Sequence, residues 1–277
     1  MEAKKGRLVI CMPGKEFPAV SVTGAKCDEM CEHCMGVHLQ GMIPVSNGRE
    51  LLTVAEKLLE KNCTGILISG GCDVGGKVPL GQLTNEIRNI ADTGLSINIH
   101  AGFADKEDIE NLVSAGVKRF SVDIHQDPDI ISSVLHLRRD PAEYSELLDK
   151  IIDAGGVPIP HLTVGFGFSD LYLSAKLVQK KRLTNIILLA LIPTKGTGTE
   201  NVFLTEATIL SAVEMLVNMG LNVTLGCMRD RRHRDLEIKC IKKGIRRMAN
   251  PSRETLSWAT SEGFEIIEEH QCCCMSL

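Results

Sequence analysis

The sequence is short of aromatic residues, of basic excess and of long apolar runs, and each shortage removes a class of function. One tryptophan, two tyrosines and seven phenylalanines in 277 residues leave no aromatic platform on which bases could stack. Lysine and arginine number 31 against 35 acidic residues, giving a net charge of −4, so no electrostatic footprint for nucleic acid is expected. The start, Met-Glu-Ala-Lys-Lys-Gly-Arg, leads into only a short apolar segment. That segment has neither the length of a membrane span nor the apolar region of a signal peptide, so no membrane association and a cytoplasmic location are expected. No linker rich in Pro, Gly or Ser divides the chain. The basic runs Lys242-Lys243 with Arg246-Arg247, and Arg229 to Arg234, read as solvated faces, with Arg229 the one to watch.

What is abundant is cysteine. Eleven thiols in a reducing compartment favour metal ligation or catalysis over disulfides. Three of them stand at Cys27, Cys31 and Cys34, a C-x3-C-x2-C spacing that lets three thiolates converge on one metal centre and leaves a fourth position for a ligand. No second C-x2-C pair or H-x3-H knuckle closes a zinc tetrahedron in the usual way. A structural zinc site or an incidental thiol cluster is the alternative reading of the same residues.

Eight β-rich runs recur: 19–23, 65–69, 95–100, 118–125, 157–165, 184–192, 221–227 and 244–249. Stretches of helical period lie between them, and several helices stop at glycine (Gly94, Gly116, Gly155, Gly220, Gly244). Strand alternating with helix predicts a parallel sheet. Eight units predict an α/β fold of the (β/α)8 TIM-barrel type, with a (β/α)6 partial barrel plus C-terminal extension as the alternative. The expected organisation is an N-terminal extension at 1–18, a barrel at 19–250 and a cysteine-tailed C-terminal segment at 251–277. A barrel places function at the C-terminal ends of its strands. There the runs bring the triad, Gly70-Gly71-Cys72-Asp73, His100, Asp123 and His125, His161 and Thr163, Pro193 to Thr197, and Cys227-Met-Arg229. A lone histidine on an apolar strand is more often a satisfied core residue than a ligand. Residues Gly71 to Lys77 match G-x4-G-K, but Val78 stands where a magnesium-binding hydroxyl belongs, so a nucleotide-hydrolysing loop is set aside.

The triad, with His33 before its third cysteine and an apolar strand before its first, resembles the signature of the radical S-adenosylmethionine (SAM) enzymes. The resemblance implies a [4Fe–4S] cluster on Cys27, Cys31 and Cys34, with SAM on the fourth iron. Gly70-Gly71 resembles the glycine turn of that superfamily, although Cys72 stands where an acidic residue is common. The stretches around Asp123, Gly165 and Pro193 resemble, in order, strand motifs of its biotin synthase-like branch. On that resemblance His33, Gly70, Gly71, Asp123, Gly165 and Pro193 are the implied cofactor-binding residues. Within the branch the chain is most similar to the two-component archaeal-type lipoyl synthase subunits, through Ser21-Val-Thr-Gly24, Gly226-Cys227-Met-Arg229, Ala249-Asn-Pro-Ser252 and the paired cysteines near the end.

This likeness implies insertion of sulfur into an octanoyl chain on a carrier-protein lysine, begun by a 5′-deoxyadenosyl radical. The partners would be a ferredoxin- or flavodoxin-type electron donor, a second radical SAM subunit and the octanoylated carrier. An auxiliary iron–sulfur cluster would be held by Cys72, Cys227, Cys272 and Cys273; the alternative is a tail of exposed thiols. Cys63 and Cys240 read as packing thiols, and Cys11 is ambiguous. Another enzyme of the branch, a methylase or a cofactor-maturation enzyme, and a non-catalytic iron–sulfur partner subunit remain the other readings.

Overall fold

The computed structural model describes residues 6–233, 235–275 and 277. The first five residues of the expected N-terminal extension, Arg234 at the end of the basic run, and Ser276 in the tail lie outside the described residues.

All eight expected strand–helix units are present. They are β2 (Ala19–Ser21) with α1 (Gly48–Glu60), β4 (Gly65–Ser69) with α2 (Thr84–Asp92), β5 (Ser96–Ile99) with α3 (Lys106–Ser114), and β6 (Arg119–Asp123) with α4 (Pro141–Asp153). The second half is β7 (Val157–Val164) with α5 (Phe168–Lys180), β8 (Asn185–Ala190) with α6 (Glu206–Asn218), β9 (Asn222–Leu225) with α7 (Leu236–Lys242), and β10 (Arg247–Ala249) with α8 (Arg253–Ser261). Local chemistry sets their limits. Asn47, Asp140, Thr205 and Ser252 cap α1, α4, α6 and α8 with their side chains, and Asp140 with Glu143 forms a full capping box ahead of Pro141. The five glycine stops all sit at positive φ, from 78° at Gly220 to 111° at Gly244.

The sheet is wholly parallel but does not close as an eight-stranded ring. Its order is β11-β1-β10-β9-β8-β7-β6-β5-β4-β2-β3, eleven strands curled into a half-barrel. Three strands lie outside the eight runs read from sequence: β1 (Arg7–Cys11), β3 (Ile43–Pro44) and β11 (Glu265–Glu269). β1 takes the place beside β10 that β2 would hold in a closed barrel. β11, Glu-Ile-Ile-Glu-Glu, is a charged edge strand, which is why no apolar run announces it. The start of β4 is tied to the end of β11 by the Thr64 hydroxyl, which donates to the His270 carbonyl at 2.6 Å, and to the segment ahead of β2 by the Thr64 amide, which donates to the Glu16 carbonyl at 2.8 Å.

Side-chain alternation along the strands divides the interior into two layers. Ile97 and Ile99, Phe120 and Val122, Leu162 and Val164, and Ile186 and Leu188 face the helices and build the large outer core. The opposite parity faces the concave side, where Cys11, Ile159, Ile187, Leu189 and Ala249 form a second, smaller cluster. Its remaining buried members are Cys273 and Cys274, so the C-terminal tail folds back into the lumen of the half-barrel. Among the described residues no helix is long and apolar enough to cross a membrane.

Candidate active site

The loop after β2 is tied by short-range bonds. The Ser21 hydroxyl donates to the Gly24 carbonyl at 2.7 Å, and the Thr23 hydroxyl donates to that of Lys26 at 2.9 Å. Met30 and Met35 both sit at φ 44°, a left-handed conformation that costs a non-glycine residue energy and that surrounding contacts must hold. Those contacts come from β4's exit and from the segment before α4. The Asp28 amide donates to Cys72, the Glu32 amide to Val134, and the His136 ring to the Glu29 carbonyl, each at 2.8 Å.

The loop brings Cys31, His33 and Cys34 together, with one donor atom from each inside 4.8 Å of the others. Cys27 stands outside that trio, yet near enough for its charge to act on both Cys31 and Cys72. The Cys31–Cys34 hydrogen bond draws Cys34 down to about 4 and, together with burial, drives Cys31 far above the ordinary thiol range. The thiolate is the form in which a cysteine ligates metal. The Cys31 thiol also points at the Leu135 carbonyl, 3.4 Å away. Two buried polar atoms here have no protein partner: His33 Nδ1 and Glu29 Oε1. Burial lifts the Glu29 carboxyl to about 7. Soft thiols around orphaned polar atoms form a donor set suited to an iron–sulfur cluster and a polar co-ligand.

Gly70 and Gly71 follow β4 directly against this loop. A Cβ on Gly71 would lie 2.0 Å from the Lys26 carbonyl oxygen and 2.6 Å from the Cys27 Cα, and the Gly71 amide donates to the Thr23 hydroxyl at 2.7 Å. Glycine here is thus demanded by the approach of two backbones, a reason that reading the sequence for ligand contacts does not supply. Gly165, at φ 129°, is pressed in the same way against the Leu191 side chain, 2.5 Å from where its Cβ would be. Pro193 lines a cleft of about 350 Å³ together with Lys195, Phe203, Asp230 and Arg232.

On the concave face, Asp123 at the end of β6 meets the His100 ring at 3.1 Å. Burial opposes charge on both groups. Their mutual attraction prevails, holding the carboxyl below its usual range, aided by His161 and His125, and raising the imidazole. His125 is fixed elsewhere: its Nδ1 lies 2.9 Å from Asp170, a buried carboxylate in the first turn of α5 that also accepts from the Gln126 and Asp127 amides. It is a satisfied core histidine.

The set expected for an auxiliary cluster is divided by the structure. Cys72 packs on the outer core beside Cys27 and Glu29, on the triad's side. Cys272, Cys273 and Cys274 converge in the lumen with their sulfurs within 4.8 Å of one another. Cys227 is exposed and within electrostatic reach of Cys272, and Cys11, raised to about 11 by burial, joins the same apolar cluster. Cys240 is buried in α7, as expected of a packing thiol, while Cys63 is only half-buried. Arg229 is no surface charge: it is 2% exposed and bridges Glu237, at 2.5 Å, to the Ala249 carbonyl, at 2.8 Å. Reading the sequence missed Asn98 and Ser121, each flanked by two apolar residues on β5 and β6, whose alternation puts them inside the lumen beside the tail.

Residues 21–171, more than half of the chain, match the sequence profile of the Radical SAM superfamily. No curated protein matches the chain in sequence. Among solved structures, a methylornithine synthase shares 12% identity, with a TM-score of 0.65 over 94% of this chain and 84% of its own. A maturase of the [FeFe]-hydrogenase shares 14% identity, with a TM-score of 0.67 over 97% of this chain and 66% of its own. The SuiB protein of Streptococcus suis, solved bound to S-adenosylmethionine, shares 8% identity, with a TM-score of 0.59 over 82% of this chain and 51% of its own. These likenesses show a common fold.

Proposed function

Because this chain belongs to the radical SAM superfamily, whose cofactors are a [4Fe–4S] cluster and SAM, we propose that it is a sulfur-inserting enzyme of the lipoyl synthase type, acting on a protein-bound octanoyl chain. The observation that carries this reading is the second group of thiols. Cys272, Cys273 and Cys274 lie in the lumen of the barrel at whose mouth the triad sits, which is where a sulfur source would have to be held.

In this reading Cys27, Cys31 and Cys34 hold the cluster, and His33, Gly70, Gly71, Asp123, Gly165 and Pro193 line the SAM side of the mouth. When bound, the cluster and SAM supply one-electron reductive cleavage and abstraction of hydrogen from an unactivated C–H bond. The chain's own part is orientation and exclusion of water. The Gly71 contact locks the triad loop onto β4, and the His100–Asp123 pair fixes a carboxylate on the lumen wall. The tail fills part of the lumen, with Ile159, Ile187, Leu189 and Ala249 as apolar neighbours and Asn98, Ser121 and His161 as polar ones. A ferredoxin- or flavodoxin-type protein delivers the electron, and a second radical SAM subunit shares the substrate, an octanoylated carrier.

The test is anaerobic incubation of the chain with SAM, a reductant and an octanoyl-lysyl carrier peptide, with and without the related subunit, followed by mass analysis. Sulfur added to the peptide, together with 5′-deoxyadenosine that disappears in Cys31→Ala, is the expected result. 5′-Deoxyadenosine formed while no sulfur reaches the peptide under either condition sinks the substrate assignment and leaves another radical SAM reaction. No 5′-deoxyadenosine at all would make the chain a non-catalytic subunit.

A further inference from the structure

The tail cysteines do not stand alone in the lumen. Cys274 Sγ lies 3.6 Å from Nε2 of His161 on β7. The other ring nitrogen of His161, Nδ1, lies 3.0 Å from the Ile159 carbonyl. A carbonyl only accepts, so Nδ1 carries the proton, and Nε2 presents its lone pair to Cys274 Sγ, one of three sulfurs within 4.8 Å of one another. A backbone carbonyl holding the far nitrogen is how proteins fix the tautomer and direction of a metal-binding imidazole. Polar groups that can donate to sulfur complete the surround: the Ser121 hydroxyl, which also reaches Asn98 Oδ1 at 3.1 Å, is 3.5 Å from Cys274 Sγ, and the Asn98 amide nitrogen is 3.8 Å from Cys272 Sγ. Hydrogen bonds of this kind stabilise thiolates on a metal and tune it.

Packing alone does not account for the arrangement. Three consecutive residues on an extended chain point to alternate sides, yet here a turn closed by the Met275 amide on the Cys272 carbonyl, 2.9 Å, gathers all three sulfurs. The walls are otherwise apolar, with Ile159, Ile187, Leu189 and Ala249 around the thiols. We propose that Cys272, Cys273, Cys274 and His161 Nε2 form one thiophilic, iron-binding centre in the barrel lumen, a Cys3His donor set from which Cys72 is excluded. This deepens the sulfur-insertion reading and rests on it only for the centre's role, since the donor set stands whatever the substrate.

The full chain carrying Cys27→Ala, Cys31→Ala and Cys34→Ala isolates this centre. Reconstituted with ferrous iron and sulfide, that variant is expected to retain iron, to show an imidazole nitrogen coupling in pulsed electron paramagnetic resonance after reduction, and to keep both when Cys72→Ser is added. Adding His161→Ala should remove most of the iron. Adding His161→Cys, which keeps a fourth ligand and controls for folding, should retain iron and lose the nitrogen coupling. The donor set is overturned if the nitrogen coupling is absent from the triple variant, if His161→Ala keeps its full iron, or if Cys72→Ser strips the iron. A second arm offers zinc, or ferrous iron without sulfide. Should the site hold only a bare ion, still dependent on His161, the donor set stands and the sulfur-donor role falls. Should it hold sulfide while the octanoyl peptide gains no sulfur, the centre stands and the substrate assignment falls.

Discussion

The thiol group at the barrel mouth and the one in its lumen are assembled by different means. The triad starts from a loop whose own bonds span three residues, Ser21 to Gly24, Thr23 to Lys26 and Cys31 to Cys34, and is then clamped by the turn at Gly71 and by the segment before α4, at Val134, Leu135 and His136. The tail is set by side chains that approach from far along the sequence. Cys272 meets Asn98 174 residues away, Cys274 meets Ser121 across 153, and Cys274 meets His161 across 113. A site that begins as a local loop needs the rest of the barrel only at its clamps, while a site with no local bonds beyond its own turn depends on the strands that face it. The experiments below are ordered by the size of the effect this difference implies.

The largest effect belongs to Arg229, in the turn after β9. It lies beside Met228, which packs on the tail cluster, and its guanidinium joins Glu237 to the end of β10. Glu237 accepts in addition from the Ser252 amide, 2.7 Å, and the Thr255 hydroxyl, 2.8 Å. Arg229→Met leaves the buried Glu237 carboxylate with only the half-exposed Arg231, at 2.9 Å, as its counter-charge, which costs about 3 kcal/mol, the low end for a broken buried pair. Urea unfolding should show that loss, and the iron content of the tail centre should fall further than that of the triad. Equal loss at both sites would break the distinction between them.

Gly71→Ala tests the other side. Its methyl group would meet backbone atoms of Lys26 and Cys27, which cannot rotate away, so a cost of about 1–3 kcal/mol is expected with displacement of the triad loop. Here the order reverses: SAM-dependent 5′-deoxyadenosine formation collapses while the tail centre keeps its iron. Truncation after Gln271 removes two fully buried thiol side chains, worth about 2 kcal/mol together on apolar burial. It should leave 5′-deoxyadenosine formation intact and uncoupled from product, as measured by the ratio of the two.

The same contrast governs what the sequence disclosed. C-x3-C-x2-C is legible because the loop that uses it is continuous, and the eight strand–helix units are legible because period and glycine stops are local signals. β1 and β11 were not, since an edge strand of Glu and Ile carries no apolar run and a five-residue strand beside Pro13 and Gly14 reads as a lead-in. Cys72 was grouped with the tail because both belong near the barrel mouth, but strand order decides neighbours there, and β4 lies on the triad's side of the sheet. His161 carried only the weak signal of a polar residue, with Thr163, in a mostly apolar strand. What distinguishes it from the satisfied His125 is its partner, a carbonyl on one nitrogen and sulfur near the other, in place of a buried carboxylate.

The smallest effect lies between the two thiol groups, in the His100–Asp123 pair, whose groups are 3.1 Å apart and partly open to the lumen. The folded state raises the His100 pKa, so its contribution is fully present below the unfolded histidine value and is lost as pH rises through the raised one. The folded state depresses Asp123, so its contribution is present above the unfolded carboxylate value and is lost as pH falls through the depressed one. Stability from the pair is therefore full between about pH 4 and about pH 6.5, the ordinary aspartate and histidine values, and is lost as pH rises further through the raised histidine value. Asp123→Asn should flatten the chain's unfolding midpoint across that window by less than about 1 kcal/mol, since the pair is open enough for water to screen it. Because Asp123 and His161 are paired in register across β6 and β7, the same substitution also asks whether the carboxylate couples the two sites. An unchanged tail-centre spectrum in Asp123→Asn keeps them independent; a shifted nitrogen coupling would mean that the wall between the triad and the tail transmits charge.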